Sequence, residues 1–393
     1  MRKFWLVSGA VIALCVIAVA SVLLGLAIPR PTGPFAVGRR SFGWIDRSRP
    51  ELHTAATSDK RAVVGQIWFP AEQGSGEPAP YVERLSSISD GLANDGEIGA
   101  VAAWGLRFVR DKALVNAAIA QKRAPYPVVI LSPGNATNVS FYAAIAEELA
   151  SNGYVVIGVD HPYQSAAVVL PDGTVATYDA RDDAASPAKA EEGIRRKIDE
   201  RTADLRFVLS EVARRGVFRK RLDLRRVAVV GHSNGGIAAA EVCRTDDRFQ
   251  ACMNIDGQQM GGPFGIEPDA RPPVQPFMFL TKEQRIQIRT AAEFERKGDG
   301  AYRVVIPAAR HEDFTDGALF TPTVVPFIRT ADDVMTVARG FTRAFLDLTL
   351  KRAPDRVLAS VDAPTDVYVD VYPLGRQRPH GEVLPRAVGR SRL

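Results

Sequence analysis

The chain is 393 residues long, 46% hydrophobic and 24% charged, with a formal net charge of +5 at pH 7. That is the make-up of an ordinary globular protein with material for a large core, and one catalytic α/β domain behind a long N-terminal lead-in fits the length. No metal-ligand spacing and no phosphate-cradling glycine loop occurs, so no cofactor is implied and a nucleic-acid partner is not expected.

Met1-Arg2-Lys3 is followed by an uncharged run from Phe4 to Ile28, long enough to cross a bilayer with some tilt. Residues 1–29 therefore read as a membrane anchor or, with Ala18-Val19-Ala20 offering a cleavage point, as a secretion signal. Arg2 and Lys3 put the N-terminus in the cytoplasm and the catalytic domain outside, held at the membrane or released.

From residue 33 to 355 apolar runs alternate with helical patterns. Strands are expected near 63–69, 126–132, 154–159, 225–230, 251–256, 275–281 and 302–307, and helices near 139–151, 189–214, 235–244 and 331–350. This alternation predicts a mostly parallel sheet with helices on both faces and ligands at the carboxyl ends of the strands. Ala100 to Gln121 reads as an added helix with Trp104 and Phe108 on an apolar face, and Gly257 to Val274 as a loop; either roofs a pocket or simply packs. Residues 356–393 form a C-terminal extension whose basic end, Gly375 to Leu393, is expected to be disordered.

The densest signal lies at Val227-Ala228-Val229-Val230-Gly231-His232-Ser233-Asn234-Gly235-Gly236. An apolar strand enters a Gly-x-Ser-x-Gly turn and leaves as a helix, the build of a nucleophile elbow with Ser233 at its tip. A serine hydroxyl needs a histidine base, and the base needs a carboxylate. Chain order in such enzymes leaves His311 and His380 downstream of the serine, and His311, on a loop beyond the strand Tyr302–Ile306, is the better placed. His232 is read as packing against the sheet, and His53 and His161 as structural or solvated. For the acid, Asp256 ends the strand Ala251–Ile255, while Glu283 follows the next strand. Two N–H groups must hold the oxyanion, each worth about 3 to 4 kcal/mol. Asn234 supplies one, and Asn135, after the strand and turn Pro127–Gly134, supplies the other or caps the next helix. Cys243 and Cys252 read as buried small hydrophobes, with a bridge open in an oxidising compartment.

These blocks, with Pro34–Gly38, Val64–Pro70, Phe141-Tyr142, Glu148–Tyr154 and Arg310-His311-Glu312-Asp313-Phe314, make the chain resemble the α/β-hydrolase superfamily, and within it bacterial relatives of plasma-type platelet-activating-factor acetylhydrolases. The resemblance spans about Pro34 to Leu350. It implies a triad of Ser233, Asp256 and His311, with Asn135 and Asn234 as oxyanion donors. Pro133 stands where the family usually has histidine, and Gln258 where its mammalian members carry an aromatic residue. The expected activity is serine carboxylic-ester hydrolysis through an acyl-enzyme on short-acyl esters or lipids. Alternatives are an acyltransferase, a polyester or dienelactone-type hydrolase, or a membrane-tethered lipid-binding protein.

Overall fold

The computed structural model describes residues 27–372 apart from 96–97, 184–186, 217, 258–270, 283–293, 295, 298–299, 308, 321–330, 355 and 365. The strands are β1 Ala36–Pro50, β2 Lys60–Ala71, β3 Glu77–Pro78, β4 Ala113–Val115, β5 Tyr126–Ser132, β6 Val155–Asp160, β7 Ala167–Val169, β8 Val175–Thr177, β9 Leu222–His232, β10 Ala251–Ile255, β11 Phe277–Thr281, β12 Ala301–Val305 and β13 Tyr368–Tyr372. Eleven of them form one sheet in the order β13-β12-β11-β10-β9-β5-β6-β2-β1-β4-β3, and β7 pairs with β8.

The six central strands, β12 through β6, run parallel. They are nearly continuous runs of buried apolar residues, as strands covered on both faces must be. Alternation sorts their side chains into two cores: Val128 and Ile130 of β5 join Val227 and Val229 of β9 on one face, and Val129 and Leu131 join Ala228 and Val230 on the other. Each buried valine or isoleucine contributes about 1.5 to 3 kcal/mol.

The expected strands and helices are present, with ends shifted by a few residues. The flanks differ more. The long strand β1 pairs antiparallel with β2; its outer half buries Trp44 and Asp46 while Gly43, Ile45 and Arg47 face out, so a strand rich in arginine gave no apolar run. The helix expected over 100–121 is instead a short helix Gly99–Gly105, a single 3-10 turn Leu106–Phe108 and the strand β4. Trp104 and Phe108 are exposed and stack edge-on rather than entering the core. In the C-terminal extension β13 adds antiparallel to β12, and residues 373–393 lie outside the described residues. So do residues 1–26, including nearly all of the uncharged N-terminal run; among the described residues no helix is long and apolar enough to cross a membrane.

The helices that matter for the site are α3 Ala143–Ser151, α4 Pro187–Arg215, α5 Asn234–Thr245 and α6 Ala331–Leu350; α1 Leu85–Asn94 and α2 Gly99–Gly105 precede them, and α7 Arg356–Ala359 follows. The alanine-rich α3 is buried all round, which suits a strong helix former lying in a core. Its charged residues are matched there, Glu148 by Thr32, Arg339 and Arg343, and Glu147 by the Lys112 amide. Gly153, at φ 90°, lets the chain leave α3 for β6 in a conformation that favours glycine. Cys243 of α5 and Cys252 of β10 are joined in a disulfide, Cα to Cα 6.2 Å, because the end of α5 folds back beside the strand it precedes. From β5 the chain passes to β6 on one side, while β9 pairs on the other. Such a reversal opens a crevice at the carboxyl ends of the strands.

Candidate active site

Ser233 lies at that crevice, between β9 and α5, with φ 54° and ψ −124°. A non-glycine residue seldom holds a positive φ, and here the neighbours enforce it. A Cβ on Gly231 would lie 2.0 Å from the Gly235 carbonyl oxygen, and one on Gly235 would lie 2.3 Å from that of Ser132. The two glycines thus let strand, helix and the loop after β5 close around the serine. The Ser233 amide donates to the Ile255 carbonyl at 2.9 Å, which pins the turn to β10.

Asp256 follows β10, also at positive φ (49°). Asn254 braces this turn, accepting from the Gly257 amide at 2.7 Å and donating to the Gly257 carbonyl at 3.0 Å. One carboxylate oxygen accepts from Thr281 Oγ1 at 2.9 Å, and the other lies 2.6 Å from His311 Nδ1. Burial pushes the Asp256 carboxyl up, but its bonds to His311 and Thr281 and the charge of Lys282 prevail and hold it below the usual carboxylate range. It is therefore the ionised acceptor for Nδ1–H.

His311 opens a 3-10 turn after β12, whose start is fixed by the Arg310 amide donating to Asp313 at 2.8 Å. With Nδ1 turned to Asp256, Nε2 keeps its lone pair, and it has no partner among the described residues. The histidine side chain is 27% exposed while its acid is 5% exposed, so the imidazole opens to the crevice and the carboxylate stays behind it. Among the described residues Ser233 Oγ makes no hydrogen bond to His311. Nucleophile and base contacts in ligand-free sites are often loose and tighten on binding.

His232 connects the parts. Its ring packs on His311 with centroids 4.5 Å apart, and its Nε2 meets the His311 carbonyl at 3.1 Å. A carbonyl only accepts, so Nε2 carries the hydrogen. Burial, reinforced by the neighbouring His311, pushes the His232 pKa down to about 3, and Nδ1 of the neutral ring accepts from the Tyr142 hydroxyl at 2.8 Å. That hydroxyl accepts from the Gly134 amide at 2.9 Å. A directed chain thus runs from the loop after β5 to the backbone of the histidine loop.

In the loop after β5, Ala136 N–H donates to the Gln164 carbonyl and Asn135 Nδ2 to Tyr178. The Asn135 amide has no acceptor among the described residues, and neither has the amide of Asn234, the first residue of α5. Two free N–H groups beside one serine are what an oxyanion needs.

Of the other predicted residues, Glu283 and His380 lie outside the described residues, as does Gln258. His161 is buried, and with Ser132 Oγ at 3.0 Å and Asp204 at 2.9 Å it forms a second serine-histidine-aspartate chain. All three are inaccessible to solvent, and burial with the nearby Arg201 charge pushes His161 down to about 4. This chain is internal bracing. His53 stacks on Tyr163 and bonds to Asp179. Glu51, His53 and Glu200 have the spacing of metal ligands, but the Arg61 guanidinium reaches both carboxylates, at 3.2 and 3.0 Å. No local sequence pattern assigns Tyr142, Asn254 or Thr281 a role in the site, because each acts through a partner distant in sequence or through a backbone turn.

A model of the family described as platelet-activating factor acetylhydrolase, isoform II, matches residues 23–215. A probable 1-alkyl-2-acetylglycerophosphocholine esterase from Arthroderma benhamiae is 27% identical over 337 residues, covering 79% of this chain and 82% of that protein. A platelet-activating factor acetylhydrolase from Cavia porcellus is 24% identical, covering 76% and 71%. The solved structure of a ferulic acid esterase from Streptomyces cinnamoneus superposes with a TM-score of 0.70 at 29% identity, over 87% of this chain and 98% of that one. The fold and these relatives agree: the chain is a carboxylic-ester hydrolase, similar in sequence to the platelet-activating factor acetylhydrolases and in fold to an esterase of known structure.

Proposed function

We propose that Ser233 is the nucleophile, His311 the general base and acid, and Asp256 the carboxylate that orients and stabilises the imidazolium, with the amides of Asn135 and Asn234 as the oxyanion hole. Ser233 Oγ attacks the acyl carbonyl as His311 Nε2 takes its proton. The same nitrogen returns the proton to the leaving alcohol, and water then releases the acid from the acyl-enzyme. The observation that carries this reading is the 2.6 Å bond from His311 Nδ1 to a buried, ionised Asp256, on the same strand ends as a strained serine.

The substrate class is short-acyl esters, including lipids that bear them, in keeping with the acetylhydrolase relatives. The test is a series of p-nitrophenyl esters of rising chain length, run beside a phospholipid with a short sn-2 chain and methyl ferulate. kcat/KM is expected to be highest for acetyl and butyryl esters. A preference for long chains, or for the feruloyl ester as the structural neighbour's name suggests, overturns the short-acyl assignment.

The run Phe4 to Ile28 is assigned to holding the catalytic domain on the outer side of the membrane, or to exporting it. The disulfide between Cys243 and Cys252 supports an oxidising compartment, since such bonds seldom persist in the cytosol. Alkylation of the unfolded native protein is expected to leave both domain cysteines unmodified. Replacing both by serine should lower stability by about 2 to 3 kcal/mol in urea unfolding, as for a short closed loop. Full alkylation of both without reductant contradicts the export assignment.

A further inference from the structure

Arg201 of α4 has no solvent exposure, and among the described residues no carboxylate lies within ion-pair distance of it. Its nearest acids are committed elsewhere: Asp204 accepts from Arg61, Arg49 and His161, and Glu200 meets Arg61 and His53. The guanidinium instead donates to three neutral oxygens: Gln164 Oε1 from Nε at 2.7 Å, the Pro133 carbonyl from Nη1 at 2.6 Å and the Gly134 carbonyl from Nη2 at 3.2 Å. Burying a cation without a direct counter-ion costs several kcal/mol, so a fold that keeps one obtains something in return.

The two carbonyls locate the return. In a trans peptide the C=O and the following N–H point in opposite directions. The unit joining Pro133 to Gly134 is gripped at both ends, its carbonyl by Arg201 and its N–H by Tyr142 Oη. The next unit, joining Gly134 to Asn135, is gripped by Arg201 at the carbonyl only. Its N–H therefore points away from Arg201 and is the unpartnered Asn135 amide. Ser233 borders this loop, since a Cβ on Gly134 would lie 3.4 Å from Ser233 Cβ. A cation on the far side of the same peptide also draws electron density through it, and in a low-dielectric interior this strengthens the donor.

We propose that Arg201 is the positioning residue of the oxyanion hole, fixing and polarising the Gly134–Asn135 peptide so that its N–H meets the charge that develops in the transition state. The proposal rests on the triad reading above. Arg201 touches no substrate.

The test compares Arg201→Met, Arg201→Lys and Tyr142→Phe with the parent chain on p-nitrophenyl acetate. Active sites are first counted by a fluorophosphonate titrant. Per titrated site, Arg201→Met is expected to lower kcat about 10- to 100-fold, less than the outright loss of a donor, with KM changed less than about 3-fold. The Ki of a trifluoromethyl ketone, whose adduct carries the oxyanion, should rise in step with the loss in kcat/KM. Arg201→Lys keeps the charge without the fork and should fall between. Tyr142→Phe frees the other end of the first peptide but also the His232 ring that reaches the His311 carbonyl, so it is read beside Arg201→Lys, and Arg201→Lys keeps the test alive if Arg201→Met does not fold. Unchanged kcat per titrated site, or an unchanged ketone Ki, in the folded variants overturns the proposal. Ser233→Ala run alongside separates the two readings: if it turns over ester, the triad is wrong, whatever Arg201 does.

Discussion

Ser233→Ala is expected to lower turnover of p-nitrophenyl acetate about a million-fold, the loss seen when the nucleophile of a comparable triad is removed. In the proposed mechanism this hydroxyl forms the acyl-enzyme, and among the described residues no nearby side chain replaces it. Ser132, the other serine with a histidine and an aspartate in line, is buried without solvent access. The residual rate should still exceed that in water, because the amides of Asn135 and Asn234 remain to hold the oxyanion. Asp256→Asn should cost about ten thousand-fold, since an amide in place of the carboxylate favours the tautomer that leaves Nε2 protonated and unable to accept. The measurement is kcat with folding checked by circular dichroism. Near-parental turnover in folded Ser233→Ala removes the assignment.

The second large effect is on stability. Asp204 is fully buried on α4 and accepts from Arg61 at 2.8 Å, Arg49 at 2.7 Å and His161 at 2.9 Å, tying α4 to β1, β2 and the end of β6. Burial alone would push its carboxyl up, but the Arg61 charge and the bond from His161 prevail and hold it far below the usual range. Asp204→Ala takes from the buried Arg61 its most deeply buried partner, leaving it Glu51 and Glu200, leaves Arg49 only Asp46 and frees His161 Nδ1, and should destabilise the domain by about 3 kcal/mol. Because the folded-state pKa is depressed, this contribution is complete above the unfolded value of about 3.9 and is lost as pH falls below it. The gap between parent and variant in urea unfolding should therefore be constant from pH 7 to pH 5 and begin to narrow below about pH 3.9. A gap under about 1 kcal/mol at pH 7, the worth of an exposed pair, contradicts this account.

Asp204 also bears on the site, because it orients His161, which bonds Ser132 at the foot of the loop proposed to hold the oxyanion. Arg201 holds the two carbonyls that follow. The loop is thus set from inside the protein by two layers of charge, and each layer comes from α4.

The amino-acid sequence by itself determined the central strands, the helices between them and the residues at their ends. Those signals are local: runs of Val and Ile, the glycines of the elbow around Ser233, and the order serine, acid, histidine. It left the acid open between Asp256 and Glu283, because both follow strands; it missed β1, whose residues are half polar, and β13, a run of only five residues beyond the last long helix. Only the tertiary structure decided that Asp256 meets His311, that Cys243 reaches Cys252, and that His232, read as mere packing, joins Tyr142 to the histidine loop. It also decided that Arg201, one arginine in a basic helix, lies buried behind the Asn135 peptide. Apart from the two cysteines, nine residues apart, such partners are separated by tens of residues along the chain, and which of them meet depends on how the helices pack across the sheet, a property that no window of sequence contains.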